Sequence, residues 1–81
     1  MTTFDIFEAA RDAPDRVALI TPEETWTFHE LSVRVHVAFE ELAEEGISAG
    51  DRVVLQAHNS ATSVVRLLAL RHAGATAVLL H

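Results

Sequence analysis

The sequence contains no cysteine, and none of its six basic residues is a lysine: all are arginines. The absence of cysteine excludes disulfides and thiolate metal sites, and it fits a cytoplasmic protein. Against the 6 arginines stand 12 acidic residues, for a net charge of −6. That balance argues against binding a phosphate backbone, so no nucleic-acid partner is expected. Acidic, lysine-poor surfaces are also the kind favoured in a salt-rich cytoplasm. No apolar run approaches the ~20 residues that span a bilayer, so no membrane partner is expected either. No basic stretch precedes an apolar one at the N-terminus, and no signal peptide is expected. Glycine is scarce as well. The three glycines, at 46, 50 and 74, stand where turns and helix caps are wanted, which leaves none for a glycine-rich phosphate loop. With 81 residues the chain is one small domain at most. A chain of this size buries only roughly 60–65% of the surface its unfolded form exposes, so its stability is expected to be marginal.

What is present is organised around Gly46-Ile47-Ser48-Ala49-Gly50-Asp51-Arg52-Val53-Val54-Leu55. A long amphipathic helix ends in front of this stretch and a short apolar strand starts inside it. Gly46 suits the left-handed conformation that closes a helix, and Ile47 can fold back onto the last turn. Upstream, Thr2 can cap a helix over 3–12, with Asp5 near its positive end and Pro14 as its stop. Phe4, Ile6, Phe7, Ala10 and Ala13 supply its apolar side. Val17–Ile20 and Thr25–Phe28 read as a hairpin across Pro22-Glu23-Glu24, with Trp26 and Phe28 on one core-facing side.

Thr27 and Glu30 have the spacing of a capping box, which opens a helix running to about Glu45. Leu31, Val35, Ala38 and Leu42 make its core stripe, flanked by Phe39. Glu30 and Arg34 form a favourable i,i+4 pair. Glu40, Glu41, Glu44 and Glu45 crowd the C-terminal end against the dipole, as a solvated face. Val33 and Val37 fall on that acidic side and form a small patch that could meet something absent from this chain. The strand Arg52–Ala57 follows. A helix over 61–73 comes next, capped by Asn59 or Ser60 and ended by Gly74. The last strand is Thr76–Leu80. The two strands are expected to be parallel with a right-handed crossover. The helix between them is apolar nearly all round, with Val64, Val65 and Leu68 on one arc and Leu67 and Leu70 on the other.

The chemistry-bearing residues are few. The five histidines, His29, His36, His58, His72 and His81, form no HExxH pattern. His29 and His36 are seven apart on one helix and lack further ligands, so exposed side chains are expected and no metal site. His58 and its neighbour Asn59 are the candidate substrate-binding residues. They follow the carboxyl end of a parallel strand, where open α/β sheets bind ligands. Against this, a loop histidine with no partner is more often a surface residue. Ser60 and Ser63 lack a triad and no GxSxG elbow exists. No catalytic residue is visible.

The motifs in series are Phe7-Glu8-Ala9-Ala10, Pro14-Asp15-Arg16-Val17-Ala18-Leu19-Ile20, Thr25-Trp26-Thr27-Phe28-His29-Glu30-Leu31, Gly46-Ile47, Gly50-Asp51-Arg52-Val53-Val54-Leu55, Asn59-Ser60, Leu67-Leu68-Ala69-Leu70 and Ala73-Gly74-Ala75. In this order and spacing they resemble the N-terminal beginning of the AMP-forming adenylating enzymes, the acyl-CoA synthetases and adenylation domains. Within that family Leu55-Gln56-Ala57-His58-Asn59-Ser60 is similar to the o-succinylbenzoate–CoA ligases of menaquinone synthesis. The end departs from the family pattern, since Leu79-Leu80-His81 stands where proline and asparagine are usual.

The resemblance implies an α/β fold: N-terminal helix, hairpin, long helix and a β-α-β parallel unit, as part of a larger domain. It implies ATP, Mg2+ and CoA as cofactors of the parent enzyme, with none held in this chain, because the family's phosphate loop, ribose-binding aspartate and catalytic lysine lie downstream. Residues 1–81 would then be the N-terminal structural part of a carboxylate–CoA ligase, inactive alone. Its partner would be the remainder of the ligase domain, or further copies of itself. The alternative is a standalone small α/β protein-interaction module without catalysis.

Overall fold

A computed structural model describes residues 4–56 and 60–80. The elements run α1 (Ile6–Asp12), β1 (Val17–Ile20), β2 (Thr25–Thr27), α2 (Phe28–Glu44), β3 (Arg52–Gln56), α3 (Ala61–His72) and β4 (Thr76–Leu80). β1 and β2 pair antiparallel, and β3 and β4 pair parallel, as two separate two-stranded sheets. This is the expected α/β order of helix, hairpin, long helix and β-α-β unit.

α1 starts later than its sequence suggests. Its N-cap is Asp5, whose carboxylate accepts from the Phe7 and Glu8 backbone N–H groups at 2.9 and 3.4 Å. One aspartate thereby caps the helix and places a negative charge at its positive end, two roles the sequence reading divided between Thr2 and Asp5. Thr2 lies outside the described residues. Ile6 is buried, Phe7 packs on the core, and the Phe4 and Phe28 rings lie 6.4 Å apart.

The hairpin turns through Thr21, whose backbone N–H donates to the Glu24 carbonyl at 2.8 Å. Its register shifts between Val17 and Leu19. The consecutive residues Ala18 and Leu19 both pack against the core, where a regular strand would alternate. Trp26 is buried, as expected of β2. Phe28 is not a strand residue: it is the first residue of α2. The capping box at Thr27 ends the strand one residue early.

Both halves of that box are made. The Glu30 N–H donates to Thr27 Oγ1 at 3.2 Å, and the Thr27 N–H donates to Glu30 Oε1 at 2.9 Å. The next free donors of α2 are satisfied from the segment between α1 and β1: Phe28 N–H donates to the Arg16 carbonyl, and His29 N–H to the Pro14 carbonyl. Four donors at the helix start thus have partners in the chain. The backbone N–H and then the hydroxyl of Thr27 hold the Glu30 carboxyl below its ordinary pKa of 4.5, with the charges of Arg34 and His29 adding to the effect. A lowered carboxylate stabilises the fold above that ordinary value, and the contribution is lost as pH falls through the lowered one. Thr27→Ala is expected to cost ~1 kcal/mol at neutral pH. A urea midpoint equal to wild type would show that this box does not hold the helix.

Both long helices close with the same device. Gly46, at φ +84°, donates to the Ala43 carbonyl, and Ile47 donates to Leu42. Gly74, at φ +80°, donates to Arg71, and Ala75 donates to Leu70. This is the Schellman arrangement, in which the residue after the glycine makes an apolar contact with the last helical turn. Leu42 and Ile47 belong to the core, as do Leu70 and Ala75.

The core stripe of α2 is the expected one, with Leu31, Val35, Ala38 and Leu42 all buried. On α3 the second arc, Leu67 and Leu70, is covered as well as the first: Leu70 is 0% exposed and Leu67 is half-buried. Two causes act together. α3 packs against α2 and also against β3 and β4, so more than one of its arcs is covered. The turn at Gly74 also brings the chain back beneath the last turn, where Leu70 sits. On β3, Val53 and Leu55 pack on the core while Val54 does not.

Candidate functional site

The candidate substrate-binding residues His58 and Asn59 lie outside the described residues. The described chain resumes at Ser60. That residue caps α3 by accepting from the Ser63 N–H at 3.3 Å, and the two hydroxyls lie 3.1 Å apart. Of the two proposed caps, Ser60 is the one used.

His81 also lies outside the described residues, and His29, His36 and His72 form no cluster. His36 Nε2 lies 2.6 Å from Glu40 on the exposed side of α2. His29 is exposed at the start of the same helix. His72 stands at the end of α3 between the rings of Phe7 and Phe39, with centroids 4.7 and 4.8 Å away. There it joins α1, α2 and α3 as a packing residue. Among the described residues no group of three His, Asp or Glu side chains is placed to hold a metal ion.

Among the described residues an open groove of about 600 Å³ lies between α2 and the first half of α3. Trp26, Val33, Val37 and Val65 line its apolar part, and Glu30, Arg34, Glu41 and Arg66 its charged part. Val33 and Val37 are about half exposed, at 49% and 51%, so the patch read from the sequence exists. Its partner Val65 comes from α3. Arg34 was expected to pair with Glu30. Its guanidinium instead lies 4.3 Å from the centre of the Trp26 ring. Two causes favour the stack: Glu30 is engaged in the capping box, and an arginine gains more over an indole face than from an exposed helix pair. Among the described residues Arg66 reaches Glu45 at 3.9 Å, and His36 makes its close contact with Glu40. The sequence held no signal for the tryptophan–arginine stack, because it depends on how the hairpin turns into α2.

This arrangement can bind through apolar and mixed-charge contact, and it contains no assembled nucleophile, base and acid. Comparison with known proteins supplies the wider setting. The AMP-binding enzyme family profile matches residues 6–81. A medium/long-chain-fatty-acid–CoA/3-oxocholest-4-en-26-oate–CoA ligase of Mycobacterium marinum is 38% identical over 88% of this chain and 13% of its own length. The 2-succinylbenzoate–CoA ligase of Bacillus cereus is 37% identical over 84% of the chain and 14% of its own. Among solved structures, o-succinylbenzoate coenzyme A synthetase from Bacillus subtilis, in complex with AMP, superposes with a TM-score of 0.85 at 34% identity. That match covers 94% of this chain and 20% of the synthetase. The N-terminal subdomain of Klebsiella oxytoca NpsA gives a TM-score of 0.88 at 29% identity over 93% of the chain. The chain therefore spans about a seventh of the curated ligases and a fifth of the solved ones. With nearly its whole length matched in sequence pattern, and its fold that of the N-terminal region of the AMP-forming CoA ligases, the chain belongs to the AMP-binding enzyme family.

Proposed function

We propose that this chain is the N-terminal part of an ATP-dependent, AMP-forming carboxylate–CoA ligase, and that its role there is structural. One observation carries the reading: the likeness to the Bacillus subtilis synthetase runs through 94% of the chain. That synthetase has been solved with AMP, with its acyl-adenylate intermediate and with ATP and magnesium. In the parent protein a carboxylate would be activated as its acyl-adenylate and passed to the thiol of CoA, at sites built by other segments. His58 and Asn59 remain the candidates for any contact this segment makes with the substrate.

The relatives also speak to specificity. Two ligases for chemically different acids match at 38% and 37% identity. A segment shared so evenly among different substrates is suited to holding the fold rather than to choosing the acid.

The test is carboxylate-dependent exchange of pyrophosphate into ATP. The 81-residue chain is expected to give none above a buffer control, and a gene product continuing past His81 is expected to give it. Exchange by the 81-residue chain itself would sink the structural role. The interaction-module reading is favoured instead if the gene ends at His81 and its product sediments as a well-folded monomer at high concentration. The uncovered β3–β4 face weighs against that, because a free chain exposing it would associate with copies of itself.

A further inference from the structure

α2 turns to solvent a face that carries both signs of charge around an apolar centre. Arg34, Val37 and Glu41 stand at i, i+3 and i+7, so they share one stripe, with Val33 beside it. Arg34 and Glu41 are thereby about 10 Å apart along the helix. Among the described residues neither is in an ion pair. The Trp26 ring holds the Arg34 guanidinium in place from one side and leaves its charge uncancelled. Of the charged residues lining the groove, Glu30 and Glu41 balance Arg34 and Arg66, in a chain whose net charge is −6. Glutamates also crowd the C-terminal end of α2, whose last turn has no basic residue to offset the dipole. Such a surface lacks one thing, an opposite charge beside each of its own, and an antiparallel copy of the same helix brings it.

We infer that the groove face of α2 is an isologous interface, and that its occupant is a second copy of this chain. A two-fold interface demands a patch complementary to itself. With the axis passing at the level between Val37 and Ala38, close to the middle of the 17-residue helix, two α2 helices run antiparallel. Arg34 of each copy then stands opposite Glu41 of the other, and the Val37 side chains meet at the axis with Val33 flanking them. The acidic end of each helix comes beside the half of its copy that carries Arg34 and the positive end of the dipole. A partner of other origin, basic or acidic throughout, would match one of the two charges and oppose the other. Repulsion between two acidic chains is screened beyond roughly 8 Å at physiological salt, whereas the paired charges lie in contact. The inference goes beyond the ligase reading and uses only α2 and the residues around it.

The test is sedimentation equilibrium of the 81-residue chain. Val54→Asp is present throughout, so that the β3–β4 face, where Val54 is 64% exposed, does not associate. This parent is expected to be a dimer in reversible exchange with monomer. Glu41→Arg sets two arginines against each other and should raise the dissociation constant about ten-fold or more, as for turning two interfacial attractions into repulsions. Net charge alone predicts the opposite, because that substitution makes an acidic chain less acidic. Arg34→Glu should weaken association similarly. An equimolar mixture of the two variants should dimerise as tightly as the parent, since each copy then supplies one sign. The chain carrying both substitutions should do the same. A parent that stays monomeric at millimolar concentration overturns the interface. So does a Glu41→Arg chain that associates as tightly as the parent, or a pair of folded variants that mixing fails to restore. Should Arg34→Glu not fold without its stack on Trp26, Glu41→Gln takes its place. Association must then fall from the parent to Glu41→Gln to Glu41→Arg, and any other order overturns the interface.

Discussion

Leu70→Ala is expected to destabilise the chain by about 3 kcal/mol, within the range for truncating a fully buried leucine. The side chain is 0% exposed and stands at the last turn of α3, where the chain reverses. A domain of this size has about 5 kcal/mol of total stability, so the variant should be partly unfolded at 37 °C. Leu67→Ala is the control. It is half-buried on the same helix and should cost about 1 kcal/mol, in proportion to the smaller apolar area it withdraws from water. Urea unfolding of the two variants with a shared slope reads the difference directly. Equal costs would mean that α3 is rotated from the placement described.

Gly74→Ala is the second large effect. Gly74 sits at φ +80°, where a Cβ costs roughly 1–2 kcal/mol. A Cβ there would also meet the Ala49 Cβ at 3.2 Å, across the seam between the two glycine turns. That seam is closed by the Gly50 N–H donating to the Gly74 carbonyl at 3.0 Å and the Thr76 N–H donating to Asp51 at 2.7 Å. Backbone on both sides is therefore held, and the crowding has little room to relax. Gly46 has the same left-handed backbone at φ +84°, with nothing near an added Cβ. Gly46→Ala should show the backbone cost alone, about 1 kcal/mol, and Gly74→Ala about twice that. If the two variants melt together, the contact with Ala49 carries no weight.

Much of this fold was legible because it is local. The capping box needs only Thr27 and Glu30 three residues apart, and both its hydrogen bonds are made. The helix stops at Gly46 and Gly74 depend on a glycine followed by an apolar residue. The stripe Leu31, Val35, Ala38 and Leu42 follows from helical period alone. The start of α1 was misplaced because Thr2 and Asp5 are both good caps, and local chemistry does not rank them. The candidate site was less legible. The Val33 and Val37 patch could be counted from the period, but its neighbours Trp26, Val65 and Arg66 come from other elements. His58 and Asn59 were singled out by their position after a strand, a rule about sheets in general rather than about these side chains.

By itself the sequence determined the order of helices and strands and most of their ends, the start of α1 and the close of β2 excepted, because caps, turns and periodicity act over three or four residues. It also determined the family, through an order of motifs that runs the length of the chain. Only the tertiary structure decided which arcs of α3 are buried and that Arg34 lies on Trp26 rather than beside Glu30. It decided too that the outer face of β3–β4 stands uncovered. Each depends on what a second element presents, and a one-dimensional period carries no information about the partner it will meet. A nearly all-apolar helix such as α3 is the extreme case: its own pattern selects no inward side, and packing by α2, β3 and β4 does.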